Sequence, residues 1–274
     1  MDHQALKELL EFYEAAGVDA ALGDSPVDRF QAVEIAKPAP VLAPTAPSAA
    51  AIESAPPAPA VPPAPAAPAA PVQGLADAQR LASQAQSLDE LRSALLAFDG
   101  CGLRKTARQL VFADGNPNAT VMLVGEAPGR DEDAQGLPFV GRSGQLLDKM
   151  LAAIGLDRST VYIGNVIYWR PPGNRTPSTE ERAMCEPFIR RQIQLVRPKV
   201  MMTLGGSALS TLFEVGQGIM RTRGQVLDYV DGDLTIPTVP TLHPAALLRN
   251  PLNKRLAWQD LLALQALMEQ NGAA

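Results

Sequence analysis

The sequence predicts an α/β domain, a three-layer α/β/α sandwich around a short, mainly parallel four-stranded sheet. Three observations carry that expectation. Four short apolar runs recur at Thr120–Gly125, Val161–Val166, Val200–Gly205 and Thr238–Leu242. Continuous rather than alternating apolar character marks strands covered on both faces. Between and after these runs, Gly144–Ile154, Thr179–Val196, Ser207–Phe213 and Leu252–Gln270 carry helical patterns. Strands that alternate with helices connect in parallel and place helices on both sides of the sheet.

The chain has 274 residues, 46% of them hydrophobic, enough for one domain with a sizeable core plus an appendage. The appendage is at the start. Residues 1–36 hold eight acids and two bases. Within them QALKELLEFYEAA places Leu6, Leu9, Leu10 and Tyr13 on one helical face, with Gly17 as a stop. That acidic helical segment either packs back on the domain or serves as a tethered element for a protein partner. Residues 37–86 read as a disordered linker. Twelve prolines fall between Pro38 and Pro71, set almost wholly in alanine, which leaves few bulky side chains to bury and favours an extended tether.

The globular part is expected over residues 87–274. Ser87 followed by Glu90 has the form of a capping box at a helix start. These residues carry 19 acids and 20 bases, 16 of the bases being Arg. Such a balance argues against a broad basic face and for local, Arg-lined binding. Two cysteines, Cys101 and Cys185, cannot build a disulfide framework and fit a reducing compartment. No apolar run suits a bilayer, and the start lacks a basic signal-peptide region. The expectation is a cytoplasmic monomer with no membrane contact.

In a parallel α/β sheet, ligands bind beyond the carboxyl ends of the strands. The first strand ends in GEAPG and RDED, residues 125–133. There is no GxGxxG and no Gly-Lys-Ser/Thr, so a phosphate-binding loop is disfavoured. The loop LPFVGRSG follows, and Phe139 between a proline and glycines suits either stacking or core packing. The second strand ends at Asn165 and leads to RPPGNR, a rigid cationic stretch suited to a phosphodiester. The fourth strand runs into HPAALLRNP. A single His at a strand end is usually structural, but His243 shares the sheet rim with Glu126 and Asn165.

GEAPG-RDED, LPFVGRSGQLLDKML, GNV-RPPGNR and HPAALLRNP, in this order, resemble the type-4 uracil-DNA glycosylases over residues 87–270. The resemblance implies a glycosylase that flips deoxyuridine out of DNA and hydrolyses its N-glycosidic bond in base excision repair. It implies Phe139 as stacking platform and Asn165 as the amide reading the pyrimidine edge. Glu132 would crowd the 5-methyl of thymine, and His243 would donate to uracil O2. Glu126, with the backbone of Gly125–Ala127, would contact the base or hold the attacking water. Arg170, Arg175, Leu247, Leu248 and Arg249 would meet DNA, one of the two leucines as a minor-groove wedge unless both pack under the last helix.

The resemblance also implies a [4Fe-4S] cluster on four cysteines, and here the chain departs from the pattern. Cys101 and Cys185 match two ligands, whereas Phe98 and Trp169 stand at the other two. Neither aromatic can ligate iron, so no cofactor is expected. Competing functions are a non-catalytic module that binds DNA damage or a replication protein, and a glycosylase for other deaminated bases.

Overall fold

The computed structural model describes residues 70–273, with side chains from Gly74 onward. The helical reading of residues 4–16 and the proline-rich stretch 38–69 lie outside the described residues.

The first element is a helix, α1 (Ala70–Gln84). It corrects the linker boundary, since the sequence reading kept residues 70–86 disordered. Ala78 and Ala82, with Ala85 just past its end, form its buried stripe, in one apolar cluster with Met184. A stripe of alanines next to a Pro/Ala tract offers no bulky periodicity to read, yet it lets two helices approach closely. The Arg191 Nε–H adds a tie by donating to the Ala85 carbonyl at 2.8 Å.

Helix α2 (Leu88–Ala97) follows, with Ser87 as N-cap. Ser87 Oγ accepts the Glu90 N–H at 3.2 Å, but the Glu90 carboxylate takes the Gln86 N–H at 2.7 Å, so the reciprocal half of the box shifts by one residue. Then come β1 (Asp114–Gly115), β2 (Val121–Gly125), α3 (Arg130–Gln135), α4 (Arg142–Ala152), β3 (Val161–Asn165), α5 (Thr179–Val196) and β4 (Val200–Leu204). The rest is α6 (Gly206–Leu212), α7 (Ile219–Thr222), β5 (Leu227–Asp231), β6 (Leu234–Thr241), α8 (Pro244–Arg249) and α9 (Lys254–Gln270).

The sheet has six strands, in the order β1-β3-β2-β4-β6-β5, rather than four. The four apolar runs form the parallel centre, and β1 and β5 are antiparallel edges. The edges escaped the sequence reading for physical reasons. β1 is two residues long. β5 is half polar because only its middle is buried. Its hairpin to β6 did leave a signal, the Asp231-Gly232 pair, with Gly232 at φ +62°.

Alternation along the central strands builds two cores. Val121, Leu123, Val161, Ile163, Val200 and Met202 pack with side chains of α4 and α9. Met122, Val124, Tyr162 and Met201 pack with α1, α2, α5 and α6. Helices thus cover both faces, and the carboxyl ends of β2, β3, β4 and β6 share one rim. Asp260 of α9 is fully buried and ties that helix to the rim. It accepts the Thr241 hydroxyl at 2.7 Å and pairs with Arg223.

A chain lacking residues 1–69 sets the reference melting temperature of the domain. Removal through residue 86 should lower it by several degrees, because it strips the alanine face from α5. Equal melting of the two truncations would show that α1 contributes nothing to the core.

Candidate active site

Residues of the strand rim enclose a cleft of about 380 Å³. Glu126, Ala127, Glu132, Phe139, Asn165, Arg175, His243 and Arg249 all line it. Segments that follow β2, β3 and β6 therefore converge on one cleft.

The β2–β3 register sets Gly125 directly beside Asn165. A Cβ on Gly125 would stand 2.4 Å from Asn165 Oδ1 and 2.5 Å from Phe139 Cζ, so only glycine leaves room for both. Asn165 is 2% exposed, and its Oδ1 is buried with no hydrogen-bond partner. An orphaned buried acceptor costs about 1–3 kcal/mol, a cost that a ligand with an N–H removes on binding. Its amide can donate and accept side by side.

Phe139 adopts φ +55°, the left-handed region, and is 4% exposed. Its ring stacks on the His243 imidazole with centroids 5.6 Å apart and planes at 29°. The backbone there has close neighbours: a Cβ on Gly144 would fall 1.5 Å from the Phe139 carbonyl oxygen. Glu132 closes the far wall. Its carboxylate accepts the Gly129 N–H at 3.0 Å and the Gly141 N–H at 2.9 Å. With both oxygens engaged, Glu132 is a fixed wall of the cleft rather than a free base.

His243 stands two residues past β6 and caps α8, its Nδ1 accepting the Ala245 N–H at 3.1 Å. Nδ1 is therefore unprotonated, and the neutral ring carries its proton on Nε2. Burial, with the Arg249 cation second, pushes the imidazole pKa down to about 4. At neutral pH, His243 is thus a neutral N–H donor. Glu126 is half-buried on the cleft wall and makes no side-chain hydrogen bond to another described residue.

The cationic and apolar candidates divide. Arg249 is exposed on the cleft edge. Arg175 lines the cleft but is held in a two-pronged pair with Glu181, at 2.6 and 2.8 Å. Arg170 lies outside the lining and donates to Asn174 Oδ1 at 2.7 Å. Leu247 needs correction as a DNA contact, being 1% exposed and packed in the cluster of α4 and α9. Leu248 is half-buried, and Leu252 further along is 82% exposed. The sequence reading missed Ser143, Pro171, Asn174 and Thr176 as lining residues. Asn174 had a signal: it follows glycine in a Pro-Pro turn and takes φ +55°.

Phe98, Cys101, Trp169 and Cys185 are all buried in one apolar cluster. The two thiols lie close enough to interact. That contact holds Cys101 below the usual thiol range, and the contact with burial pushes Cys185 well above it. Phe98 packs on Phe188 at 5.2 Å, and Trp169 meets Tyr168 edge-on at 6.3 Å. Two thiols in contact, walled by two aromatics, do not fit a four-cysteine cluster.

The model of the Uracil DNA glycosylase superfamily matches residues 112–262. A type-4 uracil-DNA glycosylase of Thermotoga maritima is 39% identical over 63% of this chain and 90% of its own. One of Archaeoglobus fulgidus is 41% identical over 61% of this chain and 85% of its own. One of Sulfurisphaera tokodaii is 37% identical over 66% of this chain and 84% of its own. The chain belongs to the uracil-DNA glycosylase superfamily, within its type-4 family.

The lowered pKa of His243 has a measurable consequence. The unfolded chain binds a proton near pH 6.5 and the folded ring only near 4, so stability rises with pH across that interval. The contribution is fully present above about pH 6.5, shrinks as the pH falls toward 4, and changes no further below that. An imidazole NMR titration should give His243 a midpoint near 4; a midpoint near 6.5 would mean that the ring is not enclosed.

Proposed function

We propose that this protein removes uracil from DNA, hydrolysing the bond between deoxyribose C1′ and uracil N1 to leave an abasic site. One observation carries the reading. The orphaned Oδ1 of Asn165, the Phe139 ring and the neutral Nε2–H of His243 belong to one cleft.

A flipped deoxyuridine would rest its ring on Phe139, and unstacking it costs a few kcal/mol. Asn165 Oδ1 accepts N3–H while Nδ2 donates to O4. Cytosine presents an acceptor at N3 and a donor at N4, so the same amide meets like with like. Glu132, fixed by Gly129 and Gly141, stands as the wall against a 5-methyl group. As the glycosidic bond breaks, its electron pair moves into the base and charge develops on O2. His243 Nε2–H donates to that oxygen, preorganised stabilisation often worth about 3 kcal/mol. A neutral donor suits this step because it needs no proton from solvent. Glu126 orients the water that attacks C1′. Arg249, Arg170 and Arg175 meet phosphates, and Leu248 rather than Leu247 is the residue free to enter the groove.

A gel assay for abasic sites on U:A, U:G, T:G and single-stranded uracil oligonucleotides tests the reading. Cleavage of the uracil substrates after alkali, with T:G untouched, is the expected result. Binding without abasic sites would identify a DNA-damage binding module instead. His243→Ala should lose most of the rate yet bind uracil-DNA within about tenfold of the parent, since the donor acts mainly on developing charge. Equal losses in binding and rate would remove His243 from that role.

The same reading takes the domain to work without a metal. Phe98 and Trp169 supply apolar burial to the cluster that holds both cysteines, and a void there would cost about 24 cal/mol per Å³. Protein purified anaerobically should be colourless. Trp169→Ala should lower stability by about 3–5 kcal/mol in denaturant titration. Stoichiometric iron in the anaerobic protein would overturn the metal-free assignment.

A further inference from the structure

Phe139 is a non-glycine residue at positive φ, and the geometry points to Arg158 as the residue that holds it there. We propose that Arg158 is a positioning residue for base recognition, acting through the backbone of the Phe139 turn; the proposal rests on the uracil-excision reading above.

Arg158 lies between α4 and β3, half-buried, and is not itself one of the residues that line the cleft. Its guanidinium reaches three segments distant in sequence. Nη1 donates to the Pro138 carbonyl at 3.1 Å, and Nη2 donates to the Phe139 carbonyl. Nη1 also pairs with Asp114 Oδ2 on the edge strand β1 at 2.6 Å, and Nε with Asp148 Oδ1 on α4 at 2.8 Å. The two carboxylates fix the plane of the guanidinium, and the fixed plane presents its remaining donors to two consecutive carbonyls. Arginine alone has the donors, in a rigid fork, to make all these contacts at once.

The backbone it grips is strained. A non-glycine residue in a sparsely populated backbone region persists only where its surroundings over-determine it. The surroundings here act from two sides. Glu132 takes the Gly141 N–H just after the turn, and Arg158 takes the carbonyls of Pro138 and Phe139 within it. Gly144 leaves the Phe139 carbonyl room to point at Arg158, since a Cβ there would meet that oxygen at 1.5 Å. The Phe139 ring in turn touches His243 and stands beside the Gly125–Asn165 pair. A shift of the turn would move the platform out of register with both the reading amide and the O2 donor.

The test uses the full chain with Arg158→Lys and Arg158→Ala. The lysine keeps a cation between Asp114 and Asp148 but cannot fork to two carbonyls, so it should melt close to the parent. Crystal structures should show Phe139 out of the left-handed region, its ring no longer stacked on His243. Single-turnover excision of uracil should slow on the order of 100-fold. In a Phe139→Leu background, the same Arg158→Lys change should slow excision by less than about twofold, because the element it acts through is gone. Phe139 unmoved in the Arg158→Lys crystal overturns the proposal, and so does equal slowing in both backgrounds. If Arg158→Ala does not fold, the lysine variant carries the test. A parent protein that cuts no uracil defeats the functional reading, while the Phe139 backbone in Arg158→Lys still decides whether the clamp exists.

Discussion

The cleft is organised around an absent atom. β2 and β3 pair in parallel with Gly125 opposite Asn165, and the space where Gly125 lacks a Cβ is filled by the Asn165 carbonyl oxygen and the Phe139 ring edge. Hydrogen-bond register is not adjustable by fractions of a residue, because a slip of one turns every side chain of the strand to the other face. The two apolar clusters, one on each face of the sheet, hold that register. Packing deep in the domain thereby fixes a spacing of a few ångströms at its rim. An amide on a strand end is placed more tightly than one on a free loop.

Electrostatics at the rim follow from the same enclosure. His243 sits where burial and the Arg249 cation both oppose protonation, and the Ala245 N–H occupies Nδ1. Together they select one tautomer of a neutral ring. An anion placed near Nε2 would meet a dipole already fixed in direction. Glu132 illustrates the complementary point. A carboxylate with both oxygens committed to backbone N–H groups becomes part of the scaffold, despite its place in the cleft.

The cysteine region is packed as apolar core. Cys101 and Cys185 remain, in contact and buried, but the partners at the other two positions are aromatic. Phe98 and Trp169 carry apolar area rather than ligands, and their neighbours Phe188 and Tyr168 continue the packing. Tyr168 also donates to Gln192, which donates to Tyr162, so the polar groups in this core are satisfied among themselves.

The chain by itself determined the α/β class, α5 to the residue, and the apolar runs that lie at the centre of the six-stranded sheet. Each rests on a local property: a continuous apolar run or helical periodicity. Only the tertiary structure decided the rest. Alanines in α1 become core because α5 lies against them, and the same composition upstream reads as linker. Leu247 and Leu248 are chemically alike and adjacent, yet helix phase sends the first into the core and leaves the second half-buried. The tautomer of His243, the engaged oxygens of Glu132 and the reach of Arg158 to Asp114, Pro138 and Asp148 have no local signature. They depend on which segments meet in space, and that is set by how two cores close around the sheet.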